Sequence, residues 1–560
     1  MLRLFPGLTA ALLLLPLAAG LLGTLLPAFG FLPALGGHSL SLDPWRALFA
    51  EPGLLGAIRL TVVTGLAATF LSLAVALLFC AATFDRPWFR RVETVLGPLL
   101  ALPHSALAIG LAFLIAPSGW LVRLLSPWAT GWDRPPDIAT VQDSAGIALV
   151  LGLMTKEVPY LLLMIIAALG QVRPRASLIL ARSLGYGPVT AWYKVLLPQI
   201  YPQIRQPIYA VLAFSLAVVD VALILGPANP PTLAPLLVRW FTDRDLARIF
   251  PASAGAVLQL GLVVAAIALW RLGEIGLGFA GRPWLSSGRR GRNETLLRSL
   301  GAGMGGLIVG LGLFGLLTLL IWSFAGPWRF PDALPDRFDT LVWQQRPAAL
   351  FGPAAVTLSV AVASVVIALA LSIGCLEAER RHGLRPGRKT LLVLYLPLLV
   401  PQTAFLFGVQ VLLIRIGVDG TWGALAWSHL LFVLPYIFLS LSDPWRAFDP
   451  RYERVAGGLG VGPWRRLVRL KLPMLLSPIL FASAVGFAVS VAQYLPTLLI
   501  GAGRWSTLTT EAVTLAAGGD RRLVAALALL QSALPLLVYA TAILLPGWVF
   551  RARRDMQAAT

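Results

Sequence analysis

An all-α, polytopic membrane protein of about twelve transmembrane helices, arranged as two parallel six-helix halves, is the fold class this sequence predicts. Three observations predict it. Of 560 residues, 58% are hydrophobic and only 12% charged, about half the charge that soluble domains carry. Long apolar runs alternate with short basic segments, and a stretch of the first half recurs in the second. With a mean hydropathy of +0.81, a water-soluble fold could not cover its surface. A bilayer removes that requirement, because lipid-facing side chains are apolar and a core of about 30 Å is crossed by about 20 apolar residues.

The expected spans lie near 7–30, 55–80, 95–116, 145–169, 206–226 and 252–272, then near 300–323, 352–375, 391–414, 423–442, 478–500 and 523–546. The N-terminal run exceeds the apolar region of a signal peptide, so it reads as the first span, with Arg3 inside. Domain organisation follows: a first half over 1–280, a polar, basic linker over 281–299, and a second half over 300–560.

The net charge is +20. Asp85–Glu93, Gln171–Arg205, Arg271–Arg298, Glu377–Lys389, Asp443–Lys471, Arg551–Arg554 and Arg3 hold most of the 45 Lys and Arg but a minority of the 25 Asp and Glu. Basic residues set topology and acids contribute little. These segments are therefore expected inside, with both termini cytoplasmic in a bacterial inner membrane. The same placement argues against nucleic acid and makes membrane lipid the expected neighbour. Tryptophans in the outside segments Ser126–Gln142 and Pro327–Arg337 mark the membrane interface. Cys80 and Cys375 each end an apolar run and read as small packing residues.

The repeat is specific. Residues 181–233 align without a gap on 456–508, with fifteen identities over fifty-three positions. Ala181/Ala456, Gly185/Gly460, Gly187/Gly462, Pro188/Pro463 and Pro198/Pro473 coincide in a polar segment, where shared lipid-facing composition explains nothing. An even number of spans per half makes the repeat parallel, with a pseudo-two-fold axis along the membrane normal and candidate sites between the halves. Each copy opens with Ala-x-x-Leu-Gly-x-Gly-Pro, a helical stretch and Leu-Pro. The glycines are expected to permit a sharp reversal through positive φ. Pro188 suits a first helical turn, and Pro198 is expected to end or kink that helix.

These two loops resemble the EAA loop of type I ABC importer permeases, the family related to the methionine and maltose permeases. The family pattern is Glu-Ala-Ala, three residues, Gly, nine residues, Ile-x-Leu-Pro. The spacing from Gly185 to Leu197-Pro198, and from Gly460 to Leu472-Pro473, matches it. Ile179 and Arg454 replace the glutamate, and Val195 and Leu470 replace the isoleucine. The fused layout is similar to permeases of the thiamine and ferric-iron branch, and Val491–Ala512 looks thiamine-like. The resemblance implies a type I permease fold and binding-protein-dependent import. It implies a cytoplasmic ATPase homodimer docked on residues from Tyr186 to Lys194 and from Val461 to Arg469. A periplasmic or lipid-anchored substrate-binding protein is the other implied partner. The implied substrate is a thiamine-like, ferric-iron or polyamine solute.

Ionisable residues inside spans are costly and are candidates for function. Lys156 and Glu157 stand in the fourth span, Asp220 in the fifth, and Gln493 and Tyr494 in the eleventh. Asp220, Gln493 and Tyr494 read either as a polar path between the halves, with Asp220 offsetting a cationic substrate, or as structural hydrogen bonding. Lys156 and Glu157 read the same two ways. His104 and His429 read as structural. No GxxxxGK loop occurs, and none of Lys156, Lys194, Lys389 and Lys471 follows a glycine, so ATP hydrolysis falls to a partner. No cofactor, metal or catalytic residue is expected. The alternative is an ion-gradient-driven carrier with two six-span repeats, which has no need of paired Gly/Pro-bounded loops. A membrane-embedded enzyme would need clustered Asp, Glu or His, and the sequence has none.

Overall fold

The computed structural model describes residues 2–87, 89–291, 293–384, 387, 394 and 396–551. Among them there is no β-strand, only two isolated bridges. The principal helices of the first half of the chain are α1 (Phe5–Ala28), α2 (Leu54–Thr83), α3 (Phe89–Ala101), α4 (His104–Ile115), α5 (Ile147–Gly170), α6 (Pro174–Ser183), α7 (Leu197–Ala217), α8 (Asp220–Leu225), α9 (Leu233–Phe241) and α10 (Ile249–Ser286). Those of the second are α11 (Thr295–Ser323), α12 (Pro347–His382), α13 (Gln402–Arg415), α14 (Trp422–Ala447), α15 (Pro450–Gly458), α16 (Leu476–Val491), α17 (Leu495–Ile500), α18 (Leu508–Ala516) and α19 (Arg521–Val549).

Among the described residues, 9 helices are long and apolar enough to cross a membrane, or 10 if a pair bent by 76° before α16 is one span. Two expected spans fall short of that test even when the bent pair is counted as one span. The run at 206–226 is divided at Val218, where the backbone turns extended between α7 and α8. The run at 391–414 lies partly outside the described residues, and the helix that covers its second part, α13, has 14 residues. Leu15, Phe70, Val264, Leu307, Val366 and Leu544 are exposed, as lipid-facing side chains of a bundle should be.

The repeat recurs in the backbone. α8 and α17, and α9 and α18, begin 275 positions apart at Asp220/Leu495 and Leu233/Leu508. The first amide of α9 donates to Thr61 Oγ1 at 2.8 Å, and that of α18 to Thr357 Oγ1 at 2.9 Å. Each threonine hydroxyl in turn donates to the carbonyl four residues back in its own helix. This satisfies an amide that a buried helix start would otherwise leave unpaired.

The first helix of each half packs on the other half. α1 lies along α13, and α11 along α4. Glycines set both crossings: a Cβ on Gly23 would stand 2.8 Å from Gly408 Cα, and one on Gly110 would stand 2.7 Å from the Gly315 carbonyl oxygen. Gly110 and Gly408 occupy matching positions, seven residues beyond Pro103 and Pro401. Small residues at such crossings let helix backbones pack closely, which is the main source of attraction between helices in lipid.

The stretch 281–299, expected as a linker, is helical at both ends. α10 continues to Ser286 and α11 starts at Thr295. At about 1.5 Å per residue, 38 residues far outreach a hydrocarbon core of about 30 Å, so the end of α10 leaves the bilayer. Glu274 holds this extension to α7. Its carboxylate accepts from Tyr201 Oη (3.0 Å), Arg205 Nε (2.9 Å) and Arg271 Nη1 (2.7 Å).

Candidate functional site

The two repeated loops have one backbone. α6 ends at a turn, followed by the short helix Pro188–Ala191, a π-helical segment Trp192–Leu196, and α7. α15 is followed in the same way by Pro463–Arg466 and the π-helical Leu467–Lys471. Gly185 and Gly460 reverse the chain with φ of +84° and +77°. Any side chain there would be strained by roughly 1–2 kcal/mol. The second glycine does not share this role: φ is −64° at Gly187 and −65° at Gly462, both extended N-caps. Pro188 and Pro463 take the first helical position, where a missing N–H costs nothing.

The later prolines are expected to end or kink the helix, and the two copies differ in the outcome. Pro198 and Pro473 lack an amide and would clash with the carbonyl four residues back. The helix answers by widening just ahead of them, with Leu197 N bonded to Trp192 O and Leu472 N to Leu467 O. After Pro198 the helix simply continues as α7. After Pro473 it breaks at Leu475, giving the bend before α16.

Both loops expose apolar side chains one helical turn apart: Leu180 and Leu184 in the first, Val455 and Leu459 in the second. These are equivalent positions. Ala181 is buried and Ala456 half-buried behind them. Lys194 and Arg469, also equivalent, differ. Lys194 is half-buried and donates to Ser287 O at 2.7 Å, whereas Arg469 is exposed.

The anchors of the loops also differ. Trp192, Leu196 and Ile200 seat the first in an apolar cluster with Phe79 and Cys80. In the second, Lys471 takes the place of Leu196. It is fully buried, 2.8 Å from Glu377 and 3.5 Å from Glu453, beneath the Trp445 ring. Arg381 and Arg380 complete the network on Glu377 and Glu453 at 2.6 and 2.8 Å. Sequence reasoning left Glu377 and Lys471 unused. A lysine inside an otherwise apolar repeat position was the available signal.

Asp220, Gln493 and Tyr494 all stand at helix breaks. α7 stops before Val218-Val219 and α16 before Gln493-Tyr494, and these dipeptides are equivalent in the repeat. Asp220, half-buried, starts α8, which packs on α4 and on α18 of the second half. Tyr494 lies within electrostatic reach of Asp220. Gln493 Oε1 meets Gln402 Nε2 at 3.5 Å. Interrupted helices of this kind are where membrane transport folds place polar backbone inside the bilayer.

Two glutamines, missed in the sequence, tie these breaks across the halves. Gln259 Nε2 donates to Leu216 O at 3.2 Å, and its Oε1 accepts from Thr403 of α13 at 2.7 Å. Gln531 Nε2 donates to Ser105 of α4 at 2.8 Å and to Thr509 at 2.6 Å. Thr509 donates in turn to Val491 O, the equivalent of Leu216 O. The signal was Ala-x-Leu-Gln, present at Ala256–Gln259 and Ala528–Gln531.

Lys156, Glu157 and His429 are satisfied locally. Lys156 donates to Leu100 O at 2.6 Å and to Leu102 O, carbonyls freed where α3 ends before Pro103. Glu157 accepts from Ser72 at 3.2 Å and from Ser215. His429 bridges Ser490 and Thr497, each at 2.9 Å, and the His104 ring rests on Phe214. Among the described residues no cluster of His, Cys, Asp or Glu fits a metal ion.

A duplicated membrane bundle, with broken helices at the meeting of its halves and a matched external loop in each copy, defines a fused two-half permease. The chain belongs to the ABC transporter permeases. It is 33% identical, over 525 residues and 93% of each chain, to the inner membrane ABC transporter permease protein YnjC of Escherichia coli. It is 23% identical over 475 residues to the thiamine transport system permease protein ThiP of Salmonella typhimurium, covering 83% of this chain and 84% of that one. A putative 2-aminoethylphosphonate transport system permease protein, PhnV, of the same organism is 25% identical over 184 residues, 32% of this chain and 69% of its own. No protein-family model matches the chain.

Proposed function

We propose that this chain is the translocating subunit of a binding-protein-dependent importer, docked through its two repeated loops on a cytoplasmic ATPase dimer. Residues 1–280 and 300–560 are the two halves, 281–299 joins them, and both termini face the cytoplasm. A substrate-binding protein delivers the solute from the outer face. The path runs between the helix breaks, past Asp220, Gln493 and Tyr494. Thiamine and 2-aminoethylphosphonate, named for the relatives, both carry a cationic nitrogen, and the Asp220 carboxylate suits such a group. The cargo proposed here is therefore a small solute with a cationic nitrogen.

One observation carries the reading: two loops of the same backbone, outside the apolar spans, each present an apolar pair one turn apart. Leu180/Leu184 and Val455/Leu459 have no lipid to face there. Two equivalent knobs fit two copies of one partner. Closure of the ATPase dimer would draw the loops together and bias the halves toward one of two states, which requires the ATPase to bind those states differently. An ion-gradient carrier has no use for such knobs.

The test is Leu184→Arg with Leu459→Arg. Both side chains are exposed, so the fold tolerates the change. The double variant should insert normally but lose co-purification with its native ATPase and lose solute-stimulated hydrolysis. Wild-type co-purification and stimulation would remove the loops as the docking site.

A further inference from the structure

The two loops share a backbone but not a cover. Over the first lie residues 287–291 and 293–294, the non-helical stretch between α10 and α11. Gly187 N donates to Arg290 O at 2.7 Å. The Glu294 carboxylate accepts from Val189 N at 2.7 Å, Thr190 N at 2.9 Å and Thr190 Oγ1 at 2.5 Å. Lys194 reaches back to Ser287 O beneath the Trp284 ring. A helix of four residues has orphan amides throughout its first turn, and a carboxylate placed there satisfies them and matches the helix dipole. The fit leaves no slack: a Cβ on Gly187 would stand 2.6 Å from Glu294 Cδ. Arg290 lies against the reversal at Gly185.

Among the described residues the second loop has no such cover. Among these residues, a Cβ on Gly460 or Gly462 would meet nothing within 4 Å. Trp464 is 71% exposed, whereas its equivalent, Val189, is 4% exposed beneath the linker. The second loop is held instead from behind, by Lys471 and α12.

We propose that the linker is part of the first docking site, so that the two ATPase subunits meet different surfaces. One meets the first loop together with Arg289 and Arg290 of the linker, which are exposed and suit an acidic rim on the partner. The other meets the bare second loop and its Trp464. Glu294 is a positioning residue that fixes the first loop. The proposal rests on the ATPase-docking reading above.

Two measurements on the chain purified with its native ATPase test it. Arg290→Cys and Arg465→Cys, each carrying a benzophenone maleimide, should both photo-crosslink to the ATPase. Crosslinking from position 465 but not from 290 overturns the composite site and leaves docking intact. Crosslinking from neither overturns docking as well. Glu294→Ala should speed amide exchange over 187–191 about tenfold, the loss of charge-assisted bonds, and leave 462–466 unchanged. In the same variant the ATPase content should fall from two copies per chain toward one, read by native mass spectrometry. Faster exchange in both loops, or two ATPase copies retained, overturns the role of the linker.

Discussion

Asp220 has no counterpart in the second copy, where Leu495 stands at the same place. It is half-buried at a helix break. A carboxylate that only capped α8 could be replaced by asparagine, which caps as well. One that meets a cationic solute could not, because a charge-assisted hydrogen bond is worth about 1.5–3 kcal/mol. Asp220→Asn is therefore expected to keep its thermal stability and to lower uptake about tenfold or more. The measurement is uptake of small solutes with a cationic nitrogen, thiamine and 2-aminoethylphosphonate being the probes, by proteoliposomes holding the chain with a partner ATPase and binding protein. Unchanged uptake removes Asp220 from the path.

At the scale of elements, the two loops reach one geometry through different anchors. Leu196 in an apolar cluster does for the first what Lys471 on Glu377 does for the second. Breaking a buried ion pair from one side costs roughly 3–5 kcal/mol, while replacing both partners by apolar groups is often neutral. Arg381 remains on Glu377 when Lys471 is lost, which places Lys471→Leu near the lower end of that range. Lys471→Leu should thus lower the melting temperature in detergent. Adding Glu377→Ala, which removes the buried carboxylate left with only one of its two cations, should restore most of it. A double variant as unstable as the single one would mean that the pair, and not its desolvation, holds the loop.

For the whole molecule, two of the kinds of contact that join the halves can be weighed against each other: glycine crossings of α1 on α13 and α11 on α4, and the glutamine links of Gln259 and Gln531. Their expected weights differ. Side-chain hydrogen bonds in lipid average about 0.6 kcal/mol, because the unfolded chain in the membrane also finds partners. A Cβ forced against backbone cannot be accommodated by turning a side chain, and overpacking of this sort costs about 1–3 kcal/mol or more. Gly408→Val should therefore destabilise the protein clearly more than Gln259→Leu, by unfolding in mixed micelles. Gln259→Leu should show its effect in transport, since it cuts the link between Leu216 O and α13. Equal destabilisation by the two would mean that the glutamine bonds, and not helix approach, hold the halves together.

Hydropathy and charge sufficed for the membrane class, the repeat and the turn at Gly185 and Gly460, because each depends on residues close in sequence. A polypeptide this apolar must satisfy its backbone within helices wherever it lies, and a glycine at positive φ acts through its own backbone alone. The divided span at 206–226, the continuation of α10 to Ser286 and the linker folded over the first loop were decided by tertiary contacts. α7 yields at Val218-Val219, where the glutamine network takes up a freed carbonyl. α10 persists because Glu274 gathers groups from α7. Gly187, read from sequence as part of a sharp reversal, is a clearance for Glu294, more than a hundred residues away. Such pairings depend on which surfaces meet after the bundle has closed, and local sequence carries no record of that meeting.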